Sequence, residues 1–453
     1  MKRLIILACL FLMLSCCENK HETVVLSDYE VINSWIADNM EQYYLWNDQI
    51  DMQGENRGES PSHFFAKAII PGDKCSYIVS NFKPLLSELS DNRKPGYSYF
   101  LYSTGGDAVK GKITYIIKNS PADEAGLKRG MIFTKINGTS LSVHNYNDLI
   151  ARTVCEHALT VQDSDNPETV YNVPVAEFAE NPVFLDTVYS LAGGKTGYLI
   201  YNSFTSDNGD LSKEYDMQLN DVFEKFKKEN INELLLDLRY NQKGNIFSSM
   251  ILASMIVPAQ NTGGIYAKYQ YNKSLQANIL SRFGDDYLNL YFADMLKDKT
   301  LNNIGDNLNR VFILTSPKTG AIGEILINGL KPFVNVVIVG NKTAGNNIFS
   351  LFLYEEDPEK QRINTWAIVP AVMRISNRTG NTDYAFEPDI KITEPLYDSI
   401  PLGNTNETVL SAALNVISGK PARTLNSTSS DMIPQKLPLN SLHNLSTNRI
   451  PCK

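Results

Sequence analysis

A stretch in the second half of the chain holds side chains that could carry out nucleophilic chemistry. Thr315, Ser316 and Thr319 bring three hydroxyl groups close together, with Lys318 among them and Lys342 further along. A hydroxyl becomes a nucleophile when a base removes its proton, and a desolvated lysine can be that base. Turn-forming Ser and Thr with solvated lysines explain the same residues without any chemistry. Both interpretations stay open at this stage.

Other kinds of active site find no support in the sequence. Asp237 and Arg239, at the end of a predicted strand, fit a structural ion pair better than an acid/base couple. No His, Cys, Asp or Glu cluster has the spacing of metal ligands, so we predict no metal site and no cofactor. None of the five histidines neighbours a plausible nucleophile; they are His21, His63, His144, His157 and His443.

The composition predicts a globular protein that does not bind nucleic acid. The chain has 453 residues, of which 43% are hydrophobic and 20% are charged, values that exclude a disordered, collagen-like or coiled-coil protein. At about 100–200 residues per domain, this length implies roughly two to four domains. Lys and Arg number 42 against 50 Asp and Glu, a net charge of −8, and no local basic patch is present.

The first residues predict export and attachment to a lipid. A Met-Lys-Arg start precedes an apolar run from Leu4 to Leu14, which is shorter than the ~20 residues of a membrane span. The cysteines that close this run resemble the lipobox of bacterial lipoproteins. We therefore expect residues 1–16 to be a signal peptide and Cys16, or alternatively Cys17, to be acylated. A plain cleaved signal with incidental cysteines is the other interpretation.

Three cysteines remain outside the predicted signal peptide. Cys75, Cys155 and Cys452 are scattered along the chain without metal or paired spacing. The sequence therefore predicts no disulfide framework. A Cys75–Cys155 bond stays open.

Hydrophobic periodicity divides the rest of the chain into four regions. Helical spacing over Tyr29–Trp46 and Phe64–Ile69 predicts a small N-terminal helical region, residues 23–90. Alternation from about Gly96 predicts a β-rich domain over 94–180. Strands and helices alternate over 190–420, which indicates an α/β core with a partly parallel sheet. The Ser-, Asn- and Pro-rich segment 424–453 is predicted to be disordered.

The predicted core elements have the short apolar runs of buried strands and the amphipathic spacing of surface helices. The strands are Gly197–Phe204, Glu233–Arg239, Leu252–Val257, Arg310–Leu314 and Val334–Val339, and the helices are Leu211–Glu229 and Glu324–Leu330.

The β-rich region has the turn residues of a known peptide-binding domain. Ser120–Leu127 reads as a short helix with Pro near its start, Gly130 as a turn, and Asn137-Gly138 as a hairpin turn before the helical run Asn145–Thr153. This order and spacing resemble a PDZ domain, with Asn145–Thr153 as its groove helix. A PDZ-like domain that only packs against its neighbour is the alternative.

The PDZ resemblance implies a binding mode and a set of binding residues. A PDZ groove takes an extended peptide as an added strand and holds its terminal carboxylate with backbone amides. Ser98 stands where this loop usually has a glycine. The residues in the loop position are Gly96, Tyr97, Ser98 and Tyr99.

Four stretches of the core carry a second resemblance. They are Leu236–Asn241 followed by Gly244, Leu314–Leu330, Val339–Gly345 and Phe386–Asp389. Together with a preceding PDZ domain, they resemble the C-terminal processing, or tail-specific, serine peptidases, and especially the lipoprotein branch of Bacteroidetes-type bacteria. The resemblance covers roughly 29–420 and implies a ClpP/crotonase-like α/β peptidase core. It also implies a serine nucleophile at the start of a helix and a lysine base.

The reactive positions of that family are substituted in this chain. The family serine precedes a glutamate by three residues, and here that glutamate is Glu324, so the nucleophile position is Ala321. The family lysine follows the serine by 25 residues, at Asn346. The loop that should bind the oxyanion reads Asn-Gln-Lys-Gly and keeps only Gly244.

The resemblance and its departures imply an inactive peptide- or protein-binding homologue in the bacterial envelope. The expected partners are peptide or protein C-termini and an intact homologous peptidase, with membrane contact through the lipid alone. The protein would lie at the periplasmic or surface face of the outer membrane. One alternative is an active peptidase with a relocated nucleophile, Ser316 or Thr319. Another is a ligand-binding protein that only inherited the fold.

Overall fold

The computed structural model describes most of the chain from Asp28 onward. The described residues are 28–83, 93–103, 105–162, 168–242, 244–355, 365–395 and 399–422, together with the backbone of 435–436. The predicted signal peptide with Cys16 and Cys17, Lys243, and the remainder of the 424–453 tail lie outside the described residues.

Helices occur along the whole described part of the chain, before, between and after the core strands. The α-helices within the described ranges are α1 (Asp28–Tyr43), α2 (Pro61–Lys67), α3 (Pro121–Glu124), α4 (Tyr146–Ala151), α5 (Glu214–Lys228), α6 (Ile246–Ile256), α7 (Lys273–Phe283), α8 (Ala321–Leu330) and α9 (Thr408–Ile417). Single 3-10 turns lie at Asn47–Gln49, Arg152–Val154, Ala259–Asn261, Asp285–Leu288 and Gly305–Asn307.

The strands are mostly short, and they form several sheets. In the first part of the chain they are β1 (Tyr77–Val79), β2 (Arg93–Lys94), β3 (Tyr97–Ser103), β4 (Val109–Ile116), β5 (Ile132–Ile136), β6 (Thr139–Ser140), β7 (His157–Gln162), β8 (Thr169–Val173) and β9 (Ala176–Glu177). The core strands that follow are β10 (Val183–Leu191), β11 (Gly194–Tyr201), β12 (Glu233–Asp237), β13 (Ile265–Gln270), β14 (Asn289–Tyr291), β15 (Met295–Leu296), β16 (Lys299–Thr300) and β17 (Arg310–Thr315). The last strands are β18 (Val336–Gly340), β19 (Ile348–Ser350), β20 (Leu353–Tyr354), β21 (Ala367–Val369), β22 (Ala371–Asn377), β23 (Ile390–Lys391) and β24 (Gln435–Lys436).

A six-stranded sheet forms the centre of the core, in the order β10-β11-β12-β17-β18-β23. β10 and β11 are antiparallel, and all other neighbours in this sheet are parallel. Parallel neighbours need long crossovers, which α5 provides before β12 and α8 before β18. Asp237 is opposite Leu314, and Thr315 is opposite Gly340. The segments that follow β12, β17 and β18 therefore meet at one edge of the sheet.

Helices cover both faces of this sheet. Leu236 and Ile313 lie in a buried cluster with residues of α5, α6 and α8. Leu235 and Phe312, their neighbours along the strands, belong to a cluster with α9 on the other face. Because successive strand residues point to opposite faces, a continuous apolar run is what a sheet covered on both sides requires.

The N-terminal helices pack on a different part of the core. α1 and α2 share a buried cluster with Ile368 of β21 and Ala371 of β22. β22 belongs to a four-stranded sheet in the order β14-β13-β22-β19. Asn272 Nδ2 donates to the backbone oxygens of Gln42 and Tyr44 at 3.0 Å, which fixes the end of α1 to the start of α7.

Residues 93–177 form a β-rich unit, hereafter the module. Its sheet runs β24-β3-β4-β5-β7-β8, with β6 paired to β5 and every pair antiparallel. Ile113, Phe133 and Leu159 are fully buried in its core. Asn137 and Gly138 both have positive φ, 49° and 75°, between β5 and β6, as a type I′ hairpin turn requires.

The observed elements differ from the predicted ones in a few places. The strand predicted over Leu252–Val257 is wrong, because this run lies in and directly after α6. A run that is apolar at every position except Ser254 has no period that separates a buried strand from a buried helix. Asn245 caps the helix, since its side chain accepts a hydrogen bond from Phe247 N. Elsewhere the boundaries shift by a few residues; β11, for example, ends at Tyr201 rather than Phe204.

One segment of the tail, which is predicted to be disordered, forms a strand. Gln435–Lys436 forms β24, with Gln435 opposite Ser103 and Lys436 opposite Tyr102 of β3. An open strand edge offers backbone donors and acceptors to any passing segment, and composition does not reveal that opportunity.

The states of Cys75 and Cys155 show whether the two residues form a disulfide bond. Cys75 is an exposed free thiol, whereas Cys155 is disulfide-bonded. The Cys75–Cys155 bond is therefore not formed. Every other cysteine of the chain lies outside the described residues.

Candidate functional site

Helix α8 begins at the position that the family resemblance assigned to the nucleophile. β17 brings the chain to the sheet edge, a short turn follows, and Gly320 precedes the helix with an extended backbone. Ala321, the first helical residue, has a φ of +32°, in a region that residues with a side chain rarely adopt. Its side chain is a half-buried methyl group, so this position supplies no nucleophile.

Glu324 holds the following loop against the first turn of α8. Its carboxylate is fully buried and accepts hydrogen bonds from Thr343 Oγ1 at 2.5 Å, Gly345 N at 2.7 Å and Asn346 N at 2.8 Å. A carboxylate in the first turn also interacts favourably with the positive end of the helix dipole. Residues 343–346 are thereby fixed beside the start of the helix.

Three predicted site positions meet at this helix start. A Cβ placed on Gly320 would lie 3.6 Å from Asn346 Nδ2 and 3.8 Å from the Gln242 backbone oxygen. The residues at the assigned serine, lysine and oxyanion-loop positions are therefore neighbours in space. Asn346 is exposed, and its amide has no useful basicity near neutral pH.

Gly244 is the glycine that the assigned oxyanion loop retains. Its φ is +144°, and it forms a parallel bridge with Phe204. A Cβ at this position would lie 2.5 Å from the Phe204 backbone oxygen, so only glycine fits. Asn241 ties the loop to the core and to α8, because its Nδ2 donates to Tyr201 O at 3.0 Å and its backbone oxygen accepts from Gly320 N at 3.1 Å.

The three hydroxyl groups considered as nucleophiles, those of Thr315, Ser316 and Thr319, are all hydrogen-bonded to the backbone. Each one donates a hydrogen bond to a carbonyl oxygen: Thr315 Oγ1 to Asn341 at 2.6 Å, Ser316 Oγ to Arg239 at 2.5 Å, and Thr319 Oγ1 to Leu238 at 2.8 Å. These bonds fasten the turn between β17 and α8 to the neighbouring strand ends. A hydroxyl used in this way has a structural role.

The side chains of the two lysines considered as relocated bases form their described contacts with groups other than the Ser316 and Thr319 hydroxyls. Lys342 forms an exposed ion pair with Glu387 at 2.6 Å. Lys318 Nζ donates to Ser98 Oγ at 2.6 Å and to the Tyr99 backbone oxygen at 2.9 Å. Lys318 therefore links the turn before α8 to the module.

The predicted carboxylate loop is anchored on the core of the module. Gly96 has a φ of +91°, and a Cβ there would lie 2.2 Å from the Ser120 side chain, so a glycine is required. Tyr97 Oη and His157 Nε2 are hydrogen-bonded at 2.8 Å. Burial raises the pKa of Tyr97 well above its ordinary value and lowers that of His157. Both groups are therefore neutral near pH 7.

The backbone of β3 presents polar groups at the edge away from β4, hereafter the outer edge. Tyr99 is opposite Ile113 of β4, but Ile113 N donates to Met131 O on its other side at 2.8 Å. The Tyr99 N–H and C=O consequently point to the outer edge. Leu101 and Ser103 follow at even spacing with no register shift, so their backbone groups point the same way.

A buried charge network lies behind the strand ends. Arg239 is 1% exposed and binds Asp237 Oδ2 and Glu407 Oε1, each at 2.7 Å. The structural ion pair predicted for Asp237 and Arg239 is confirmed. Burial alone would raise the pKa of Glu407, but the charge and hydrogen bond of Arg239, the Leu410 N–H and the charge of Arg129 together lower it.

The same network fastens the module to the core. Arg129 of the module donates to Tyr240 Oη at 2.6 Å and to Glu394 Oε1 at 2.7 Å. Lys112, which is fully buried, donates to the Pro395 backbone oxygen at 3.1 Å. Charged side chains from one unit are therefore buried against the other.

The described ranges contain neither a membrane span nor a metal cluster. No helix there is long and apolar enough to cross a membrane. No group of three or more His, Cys, Asp or Glu side chains in those ranges is arranged to hold a metal ion. The lipid anchor expected at Cys16 or Cys17 lies outside them.

Two family models match the chain. The model described as Peptidase S41 N-terminal domain matches residues 31–99, and the model described as Peptidase family S41 matches residues 195–392. Together the two matches span more than half of the chain. The protein belongs to peptidase family S41, the C-terminal processing peptidases.

The chain is also similar to curated proteins that are described as serine proteases. A probable CtpA-like serine protease of Staphylococcus aureus is 22% identical over 294 residues, which are 64% of this chain and 51% of that protein. A protein of the same description from Staphylococcus saprophyticus is 21% identical over 303 residues, 66% of this chain and 53% of that one. The chain thus spans about half the length of the curated relatives it matches.

Solved structures have the same fold. A putative S41 protease from Bacteroides fragilis has a TM-score of 0.64 and 27% identity, covering 85% of this chain and 97% of that one. The photosystem II D1 C-terminal processing protease has a TM-score of 0.51 and 15% identity, covering 88% and 100%. The family and the mixed α/β peptidase fold expected from the sequence are confirmed.

Most of the residues that hold the site together could not be predicted from the sequence. No local pattern shows that Glu324 binds the 343–346 loop or that Lys318 binds the module. Arg129 and Glu394 are 265 positions apart, so no local pattern pairs them. Glu407 did have a signal, because an acidic residue directly before a helical run is a common N-cap, and its side chain accepts from Leu410 N.

Proposed function

We propose that the protein is a catalytically inactive member of family S41 that binds peptide or protein termini at the bacterial envelope. The meeting of Ala321, Asn346 and Gln242 at the start of α8 carries the proposal of inactivity. A methyl group cannot attack a carbonyl carbon, and an amide cannot accept the proton of a nucleophile. Loss of both groups from a covalent mechanism commonly removes a factor on the order of a million in rate.

The hydrogen bonds around the site argue against a relocated nucleophile. Ser316 and Thr319 each donate their proton to a backbone carbonyl, so neither faces a base. Lys342 pairs with Glu387 at the surface, and Lys318 contacts the module. A nucleophile needs its base within hydrogen-bond reach, and neither hydroxyl has one.

Fluorophosphonate labelling and cleavage of an unstructured protein test this part of the proposal. We expect neither reaction from the purified chain, with an intact S41 peptidase as the positive control. Cleavage that disappears in Ser316→Ala would establish the relocated nucleophile instead. Cleavage that survives Ser316→Ala and Thr319→Ala would contradict both accounts.

The binding part of the proposal concerns the outer edge of β3. We infer that the module is PDZ-like and that Gly96–Tyr99 receives a peptide terminus there, as an added strand. Lys318 supports this inference, because its ammonium lies against Ser98 and Tyr99 in a half-buried position. An ammonium beside this loop attracts a carboxylate more strongly than it would in open water. On binding, the Lys318 ammonium would pair with the peptide carboxylate. A peptide N–H would then donate to the Tyr99 carbonyl in place of Lys318.

Titration with matched peptides tests the binding site. Each peptide is used once with a free C-terminal carboxylate and once as the amide. We expect the free acid to bind more tightly, because only the acid can pair with Lys318 and the loop amides. Equal affinities would rule out a carboxylate site.

The proposed location depends on the lipid anchor. Acylation at Cys16, or at Cys17, would tether the protein to the outer membrane, at its periplasmic or surface face, where an intact homologous peptidase could be a partner. Labelled palmitate should enter the wild-type protein and be absent from a Cys16→Ser/Cys17→Ser variant. An unlabelled wild type would contradict the lipoprotein assignment.

A further inference from the structure

The outer edge of β3 already holds a strand that belongs to this chain. Gln435 and Lys436 pair antiparallel with Ser103 and Tyr102. Ser103 has the same orientation as Tyr99, so Gln435 takes backbone groups on the very edge that an added peptide would use. A peptide added at this edge would therefore need the backbone groups that the C-terminal tail already uses.

The direction of the tail strand points along the edge to the carboxylate loop. Because the pairing is antiparallel, the chain enters at Ser103 and leaves Lys436 in the direction of Gly96. Residues 437–453 follow, and this length exceeds the stretch of β3 between Tyr102 and Gly96. The tail is long enough to occupy the whole edge.

We propose that the C-terminal tail is the resident ligand of the module and that a foreign peptide must displace it. This inference rests on the proposed peptide-binding function of the outer edge. A segment joined to the same chain acts at a high effective concentration, so even a short strand competes well with a free peptide. The module would bind partners only after the tail has been released.

The disulfide bond of Cys155 also supports a tail that is held on the module. Cys155 follows α4 and the Arg152–Val154 turn in the module, and it is disulfide-bonded, while Cys75 is a free thiol. Three of the other cysteines precede residue 18, and the remaining one, Cys452, belongs to the tail. We expect mass spectrometry of the unreduced protein to recover Cys155 linked to Cys452. Such a bond would close the tail over the module and make its release sensitive to reduction.

A matched pair of proline variants separates strand pairing from other effects of the tail. The Gln435 N–H faces Ser103, so Gln435→Pro removes a hydrogen bond from the ladder. The Lys436 N–H faces away from β3, so Lys436→Pro leaves the ladder intact. Both variants keep the length of the tail and both add one proline, and they differ in the ladder alone.

The experiment uses a fluorescent peptide of residues 429–453, with serine at the cysteine position, as the probe. We expect a chain that ends at Ala422 to bind this peptide at least tenfold more tightly than the full chain does. Gln435→Pro should move the full chain toward the truncated one, whereas Lys436→Pro should behave as wild type. Equal binding to the full and truncated chains, or binding to neither, would overturn the proposal. If the truncated chain does not fold, the comparison of the two proline variants decides the question.

A second probe separates this inference from the proposed function. A pool of unrelated peptides with free C-termini is titrated into the same proteins. Binding of the tail peptide without any foreign peptide supports the resident tail and contradicts the proposed function. Equal binding of foreign peptides to the full and truncated chains supports the proposed function and overturns the resident tail.

Discussion

The start of α8 and the outer edge of β3 have kept different parts of what the peptidase fold provides. At α8 the scaffold is complete, with Glu324 holding the 343–346 loop, yet Ala321 and Asn346 supply no reactive group. At β3 the proposed binding groups are backbone N–H and C=O, which every substitution except one to proline leaves in place. Two side-chain replacements can end covalent catalysis, whereas strand addition persists as long as the strand does.

The scaffold around α8 has a structural reason to persist that does not depend on catalysis. The Glu324 carboxylate is buried, and it satisfies backbone donors that would otherwise be unpaired. Leaving such donors unpaired costs free energy of folding whether or not the site reacts. The geometry of an active site can therefore outlast its chemistry.

The largest expected effect comes from restoring the reactive groups. Ala321→Ser alone should give little activity, because no base lies beside the new hydroxyl. Adding Asn346→Lys restores the pair, but we expect Gln242-Lys243 to crowd the oxyanion loop, where the loss of one donor typically costs ~3 kcal/mol. We expect the double variant to stay about a hundredfold or more below an intact relative in peptide cleavage. Full activity in the double variant would mean that the oxyanion loop is competent as it stands.

Glu324→Ala should produce the next largest effect. Four hydrogen-bond donors lose a buried acceptor, those of Thr343, Gly345, Asn346 and Ala385. We expect the free energy of unfolding to fall by about 3–5 kcal/mol in urea denaturation. Glu387→Ala is the matched control, since that carboxylate is exposed, and it should leave the unfolding midpoint unchanged. An equally small change in the free energy of unfolding for both variants would show that the buried Glu324 carboxylate does not stabilise the start of α8.

The charge network that joins the two regions should respond to pH. Glu407→Gln removes the negative partner of Arg239, and we expect a loss of about 3 kcal/mol at pH 7. The pKa of Glu407 is lower in the folded state, so its stabilisation is present above the ordinary value of 4.5 and is lost as pH falls through the folded value. The difference between wild type and variant should narrow below about pH 4.5. A difference that is constant between pH 7 and pH 3 would contradict this assignment.

Lys318→Ala should have the smallest of these effects and the most selective one. In the chain that ends at Ala422, we expect about a fivefold loss of affinity for a free-acid peptide and none for its amide, since one partly exposed charge is worth about 1 kcal/mol. Lys342→Ala is the control, because Lys342 pairs at the surface with Glu387 and contacts no part of β3 among its described interactions. An equal loss for acid and amide would mean that Lys318 only supports the loop.

Much of the fold could be predicted from the sequence, because its strands and helices have clear periods. The strand predicted over Leu252–Val257 is wrong because the segment has no clear period: every residue there except Ser254 is apolar. The family resemblance also assigned positions 321 and 346 to one site, and they lie close together because residues after neighbouring parallel strands meet at one sheet edge. Contacts across domains could not be predicted, as with Lys318 and Ser98, which are 220 positions apart. The tail strand was missed because an edge recruits partners through backbone groups, which composition does not reveal.

One measurement addresses binding and cleavage together. A fluorescent peptide is titrated as free acid and as amide into the chain that ends at Ala422, and the peptide is recovered from the same samples for mass spectrometry after prolonged incubation. We predict that the free acid binds more tightly than the amide and that every recovered molecule is intact. Recovery of cleaved peptide, or equal affinities for the free acid and the amide, would contradict the account that this S41 homologue binds peptide termini without cleaving them.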